Sequence, residues 1–491
     1  MDNLNLHRMT PFEWTMTDRV ARAPMEFVVK IQCTGEVDCE KFTQAILLEV
    51  KQHPLLQANA ETGPNHRQSY WRAASQAAPQ VHWIEEEFSP EPGFPEDFEP
   101  IDLENEIGLR FYGWTGDPNS ADSRRDVVMK FVFHHACCDG KGGLDFVQQT
   151  LVRYGALCAN ADPTLESDLQ DVQISDRSTR SDHALRFFDR LYRSIVVRPK
   201  RVACFLFQRP RLLHPNNADS KNRHSKNLDS EKLYQSPPCQ CSTTIDQKTT
   251  KAIGEFAKSH SSTTNLVLAR ELFHTLNDHL KNGHQGRTSK SDSAEKRRFR
   301  LMIPFSLRAD RHHTDQTANC VSIVYLEATK LWLDQDKDEN PVLLTQLGRQ
   351  MDYIRRWQMQ YSWIESVESY AKFWPLIKLF KKRNKPTSQQ KGLAIATTVM
   401  TNLGRAFRNQ RWAGNGGQIK VGSLEVETVH VAVPCTAMLN TNFSVNFYRD
   451  RLTLDIIYLP SLVAREDAQA ILDSWAQRIV RLAQTRLAQL S

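Results

Sequence analysis

The sequence predicts a mixed α/β protein made of two halves of similar size. Three observations carry this. At 491 residues the chain is longer than one ordinary core accommodates, so two or three domains are expected. Short apolar runs of strand type alternate with segments of helical period on both sides of the middle of the chain. In between, the composition shifts to a basic and aromatic stretch, followed by the polar, aperiodic HPNNADSKNRHSKNLDSEK, the best linker in the sequence. The expected division is 1–175, a joining segment at 176–236, and 237–491.

Taken in order, Met25 to Ile31 reads as a strand. Asp38 or Cys39 then opens a helix, CEKFTQAILLEVKQH, whose apolar residues recur at helical spacing. His53-Pro54 breaks it, and LLQANAE is expected to resume as a strand. Arg124 to Phe133 is a third strand, running into paired histidines, and Gly143 to Tyr154 is the helix that follows. In the last part, Thr250 to Lys258 and Asn265 to Leu280 are amphipathic helices, the second capped by Ser262 or Thr263. Asn282 to Lys296 reads as a solvated loop. Phe299 to Pro304 and Val321 to Leu326 are strands. Pro341 to Gln358 is a helix with Asn340 as its cap and proline at the tolerated first position. Ala394 to Met400 and Gln418 to Ala432 supply further strands, with a turn at Gly414 to Gly417. Phe443 to Tyr448 and Leu452 to Tyr458 form a hairpin, and Arg465 to Leu487 a closing helix.

Composition narrows the function. Hydrophobic residues make up 40% of the chain, ordinary for a protein with a substantial core. No run approaches the roughly 18 apolar residues of a membrane span, and the N-terminus has no secretory apolar core, so a cytoplasmic location is expected. The ten cysteines follow no repeated CxxC pattern, which predicts reduced, mostly buried thiols rather than a disulfide framework. A formal charge of +6 over this length does not call for a nucleic-acid partner.

The chemistry concentrates in FVFHHACCDGKGGLDF, Phe131 to Phe146. An imidazole at the end of a rigid strand, with an acidic residue and a glycine turn behind it, suits a general base. The pattern of His134, His135, Asp139 and Gly140, HHxxxDG, resembles the signature of a large acyl-transfer superfamily. That superfamily includes chloramphenicol acetyltransferases, peptide-synthetase condensation domains and stand-alone alcohol or wax-ester-type acyltransferases. The resemblance extends to HPLL at His53 to Leu56, to IPFSLRADRHHTDQTANC and to TTVMTNLGR. It implies two chloramphenicol-acetyltransferase-like subdomains, each a mixed sheet flanked by helices, with an active channel between them.

The resemblance also implies roles. His135 is the base, His134 sets the loop geometry, and Asp139 anchors the loop through Arg308. Gly140 allows a tight turn that no side chain would permit. Thr401, Asn402 and Gly404 occupy the S/T-N-x-G element beside the channel, where Thr401 or Asn402 donates towards an oxyanion, and Asn319 is a further channel residue. The implied reaction moves an acyl group from acyl-CoA or a phosphopantetheine-linked thioester to an alcohol or amine. Ester formation is favoured, no metal or prosthetic group is bound, and an acyl carrier protein is a candidate partner. The sequence lacks DFGWG near its end, which argues against the plant alcohol-acyltransferase branch, and it contains no carrier or adenylation segments. Two rivals remain: a free-standing, amide-forming condensation protein, and a catalytically silent binding protein of the same fold.

Other features have plainer readings. His312-His313 with Asp315 has no recognised zinc spacing relative to the first pair and reads as a solvated loop. Cys137 is a small packing residue rather than a nucleophile. Gly140, Gly142 and Gly143 do not make a phosphate-binding GxGxxG. Leu185 to Phe207 and Leu376 to Lys385 have the composition of interfacial helices, able to touch a membrane, an anionic carrier or the phosphates of coenzyme A. The bland alternative for both is a solvated helix face with a buried apolar stripe.

Overall fold

The computed structural model describes residues 7–17, 23–84, 93–95, 98–116, 126–164, 192–197, 210, 213, 237–283, 298–308, 318–369, 371, 395–407, 417–436 and 439–490. Each half is built on a six-stranded sheet covered by helices.

The first half opens with β1 (His7–Arg8) and α1 (Pro11–Met16), a short helix that the sequence reading did not anticipate. Its start is written locally. Thr10 accepts from the Glu13 amide, the Glu13 carboxylate accepts from the Thr10 amide, and proline stands in the first turn. Next come β2 (Glu26–Thr34) and α2 (Cys39–Val50), which Asp38 caps by accepting from the Lys41 amide. Leu55 and Leu56, expected in a strand, lie instead in a 3-10 turn, Pro54–Gln57; β3 begins only at Ala58 and ends at Glu61. Proline fixes φ for that turn, and both leucines are fully buried by it. Then follow β4 (Tyr70–Ala73), β5 (Gln80–Ile84), β6 (Leu109–Thr115), β7 (Asp126–His134) and α3 (Gly140–Cys158). The strands β1, β4 and β3 make a small separate sheet. Glu49 ties α2 to α3: its two oxygens lie 2.7 Å from His53 Nε2 and 2.7 Å from Arg153 Nε, all three residues buried.

The second half holds β8 (Cys239–Ile245), α4 (Gln247–Ser259) and α5 (Thr264–Gly283), then β9 (Phe299–Ser306) and β10 (Val321–Ala328). After them come α6 (Lys330–Gln335) and α7 (Val342–Arg356). The expected Asn340 cap of α7 is not what caps it. Pro341 takes the cap position without a side-chain bond, and Asp336, at the end of α6, accepts from the Leu343 amide at 2.6 Å. The carboxylate reaches the first turn through space, which local spacing does not reveal.

The chain continues through β11 (Thr398–Arg405), β12 (Lys420–Val421), β13 (Leu424–Ala432), β14 (Thr441–Tyr448), β15 (Arg451–Tyr458) and α8 (Arg465–Leu490). The β14–β15 hairpin turns on Arg449 and Asp450, both at positive φ, as a two-residue turn of the primed type requires. The second sheet runs β10-β9-β11-β14-β15-β8. The first runs β12-β13-β2-β7-β6-β5, so β12 and β13 leave the second half of the sequence, and β13 pairs antiparallel with β2.

That crossing ribbon brings the halves together, because β13 packs on β14 and β15. Asp455 of β15, fully buried, lies 3.2 Å from His430 Nδ1 on β13 and accepts from Ser444 Oγ at 3.0 Å. Burial pulls the neighbouring Lys30 ammonium down to about 8, with Asp455 opposing the shift. Apolar clusters fill the outer side of each sheet beneath its helices.

The joining segment at 176–236, the Leu185–Phe207 and Leu376–Lys385 stretches, His312-His313 and Asp315, most of the Asn282–Lys296 loop and the start of the Gly414–Gly417 turn lie wholly or mainly outside the described residues. None of the described cysteines forms a disulfide. Among the described residues no helix is long and apolar enough to cross a membrane.

Candidate active site

β7 ends at His134, and the chain then makes a tight turn into α3. His134 is wholly buried, and its Nδ1 accepts from the Ala136 amide at 3.1 Å, which holds that turn. His135 leaves in the opposite direction, as successive residues at a strand end do. Its ring stands edge-on to Phe27, centroids 5.6 Å apart, and borders a cavity of about 210 Å³ between the two halves.

Asp139 fastens the turn from behind. One carboxylate oxygen caps α3 by accepting from the Gly142 amide at 2.9 Å. The other accepts from the Cys320 amide at 2.9 Å and pairs with the Arg308 guanidinium across the halves. Asp139 has no exposed surface. Arg308 also donates to the Ala318 carbonyl at 2.9 Å. Burial works against its charge, but the Asp139 carboxylate outweighs that and holds the guanidinium above its ordinary range.

Asn319 points at His135 rather than at the cavity surface. Its Nδ2 donates to the His135 carbonyl at 2.8 Å and lies 3.2 Å from the His135 Nδ1. A backbone hydrogen bond of residue 135 itself adds to this hold on the ring, and the Asn319 amide clasps both backbone and ring. Burial lowers the His135 pKa below its ordinary 6.5; the carbonyl bond and Asp139 oppose the shift, and His134 adds to it. The resting imidazole is therefore neutral.

Two glycines matter here for reasons other than the one expected. Gly140 is a first-turn helical residue without positive φ, so no special turn requires it. A Cβ there would come within 2.7 Å of a Leu403 methyl from the other half. A Cβ on Gly143 would stand 2.8 Å from the Phe27 ring and 3.3 Å from Phe133. Those rings are stacked and buried, and Phe27 also packs edge-on against His135, so a displaced Phe27 disturbs the imidazole's setting. Gly143→Ala is thus expected to lower turnover several-fold while leaving overall secondary structure unchanged, checked by steady-state kinetics beside circular dichroism.

The opposite wall comes from β11. The Thr-Asn-x-Gly element was expected to follow a strand ending at Met400; it lies inside the strand, at a bulge between Asn402 and Gly404 in the pairing with β14. Gly404 adopts φ +74° there, and its amide donates to Asn402 Oδ1 at 2.8 Å. This fixes the amide flip, with Asn402 Nδ2 lying 3.3 Å from Asn265 Oδ1 of α5. Thr401 and Asn402 both border the cavity that His135 borders; Gly404 shapes the bulge without lining it.

Several bordering residues escaped the sequence reading. Phe12 and Met16 come from α1, whose capping box was legible; Met302 and Ile323 come from the inner faces of β9 and β10. Lys141 also borders the space, immediately after the HHxxxDG residues. Cys137 is fully buried, and a Cβ on Gly108 would collide with its sulfur, so it packs rather than reacts. Among the described residues no cluster of His, Cys, Asp and Glu could hold a metal ion.

With this geometry in view, solved structures provide the comparison. The chain superposes on TRI3 trichothecene 15-O-acetyltransferase from Fusarium sporotrichioides with a TM-score of 0.63 at 13% identity, over 97% of this chain and 95% of that one. It has the condensation-domain and acyltransferase fold. The first condensation domain of the calcium-dependent antibiotic synthetase, in complex with a substrate analogue, gives 0.59 at 12% identity, covering 97% and 96%. The starter condensation domain of rhizomide synthetase RzmA, in complex with C8-CoA, gives 0.57 at 13%, covering 98% and 95%. No protein-family model and no curated protein matches the sequence.

Proposed function

We propose that this protein is an acyltransferase that moves an acyl group from a coenzyme A or carrier-protein thioester to an alcohol or amine, with His135 as general base. One observation carries the reading: the His135 imidazole and the Thr401–Asn402 pair border the same cavity from opposite halves. The acceptor hydroxyl gives its proton to Nε2 as its oxygen bonds to the thioester carbon. Negative charge develops on the former carbonyl oxygen, where the Thr401 hydroxyl or the Asn402 amide donates. Collapse of that intermediate breaks the C–S bond, and the departing thiolate takes the proton back from the imidazolium. Holding both substrates in one enclosed space adds an entropic share of the acceleration. Ester formation is preferred over amide formation because TRI3, similar over nearly the whole chain, is an O-acetyltransferase.

A panel of acyl-CoA and acyl-carrier thioesters, offered with alcohols and with amines, tests the reading. Thiol release together with the product mass should reveal an ester. An amide formed only from the loaded carrier would support the condensation rival. No reaction with any donor would favour the silent binding protein.

The pH dependence carries its own sign. A base whose pKa is lowered stays unprotonated further into acid, so kcat/KM is expected to be level above neutrality. It should be lost as pH falls through a midpoint below 6.5. A rate profile with its acid limb centred above 6.5 contradicts the assignment.

A further inference from the structure

Outside the cavity, the surface where the 192–197 segment meets the end of α7 has no evident part in acyl transfer. One π-helical turn, Arg193–Val197, is pinned there by Arg193, which lies 3.1 Å from Glu365 and 3.4 Å from Ser362. That contact buries the arginine and turns its neighbours outward: Ile195 is 64% exposed, and Tyr192 and Val196 are also exposed. Tyr192 lies against Trp357, centroids 5.2 Å apart, and exposed Tyr353 borders the same indole at 6.5 Å. Large apolar side chains grouped at a surface beside charged ones commonly mark a contact face.

Charge identifies what covers them. Arg349, Arg355 and Arg356 are exposed along the end of α7, Arg356 over the Trp357 ring, against the single charge of exposed Asp352. Glu365 is neutralised by Arg193. Tyrosine and aliphatic side chains ringed by arginine match the boundary between lipid headgroups and acyl chains. An acidic protein would satisfy the arginines but gives no comparable reason for isoleucine and valine to project so far.

We propose that this face docks on an anionic lipid surface, with Tyr192, Ile195, Val196 and Tyr353 entering the interface and the arginines facing the headgroups. The proposal goes beyond the acyl-transfer reading and does not depend on it. Flotation of the full-length protein with vesicles tests it, comparing phosphatidylcholine alone with equal parts phosphatidylcholine and phosphatidylglycerol. Binding is expected only to the mixed vesicles, weakening as salt is raised. Arg355→Ala with Arg356→Ala should lower partitioning by about tenfold, and Ile195→Ser with Val196→Ser by a similar factor, about tenfold. All four side chains are exposed, so melting temperatures should match the parent. Failure to bind the mixed vesicles overturns the proposal, as does binding that neither pair affects. Binding that only the arginine pair weakens indicates adsorption by charge alone and also overturns it. So does capture by an acidic carrier protein without any binding to lipid.

Discussion

His135→Ala is expected to lower kcat/KM for thioester-dependent transfer by about 10²–10⁴-fold, the usual contribution of a positioned base. The loss should appear without a change in fold. The ring borders an open space rather than filling the core, and the turn that carries it is held by Asp139, Arg308 and His134. Donor binding should survive, since the base acts as the acceptor loses its proton; the fall belongs in kcat more than in KM. Measuring both constants for parent and variant, with circular dichroism alongside, decides the matter. Undiminished transfer by the alanine variant removes His135 from the mechanism.

The second large effect is on stability. Arg308→Ala leaves the Asp139 carboxylate buried with only the Gly142 and Cys320 amides as partners. Breaking a buried pair in this way costs about 3–5 kcal/mol, chiefly the penalty of the stranded charge. The double variant Asp139→Asn with Arg308→Ala removes that charge and should recover a substantial part of the loss, giving a coupling visible in a double-mutant cycle of urea unfolding with both single variants. If Arg308→Ala unfolds at the parent's urea concentration, the pair does not hold the halves together. Activity should fall too, because Asp139 both caps α3 and sets the turn that presents His135.

Much of the site was legible because its chemistry is local. His134, His135, Asp139 and Gly140 sit within one strand-turn-helix junction, so alternation and spacing located the strand end, while the helix, expected from Gly143, begins three residues earlier at Gly140, where Asp139 caps it. The hairpin at β14–β15 was legible for the same reason, and so was α1 in principle, since Thr10, Pro11 and Glu13 write its capping box side by side. Parts that depend on contacts distant in sequence were read differently or missed. Asp336 supplants Asn340 as the cap of α7. Gly140 faces a Leu403 methyl from the other half, a contact its own turn does not reveal. Asn319 reaches the His135 carbonyl and ring, a relation that spacing from Arg308 does not reveal. β13 pairs with β2, although nothing in its own pattern distinguishes it from a strand of the second sheet.

The residues alone pointed to two α/β halves and to an imidazole just past a strand end, followed by an acid and a run of glycines. Hydrophobic period and turn chemistry are properties of a few neighbouring residues, so they survive being read without coordinates. That His135 and the Thr401–Asn402 pair border one cavity, and that burial lowers the imidazole's pKa, emerges only once the chain is folded. Those outcomes come from burial and from the meeting of two sheets, and each is a sum over groups far apart along the chain.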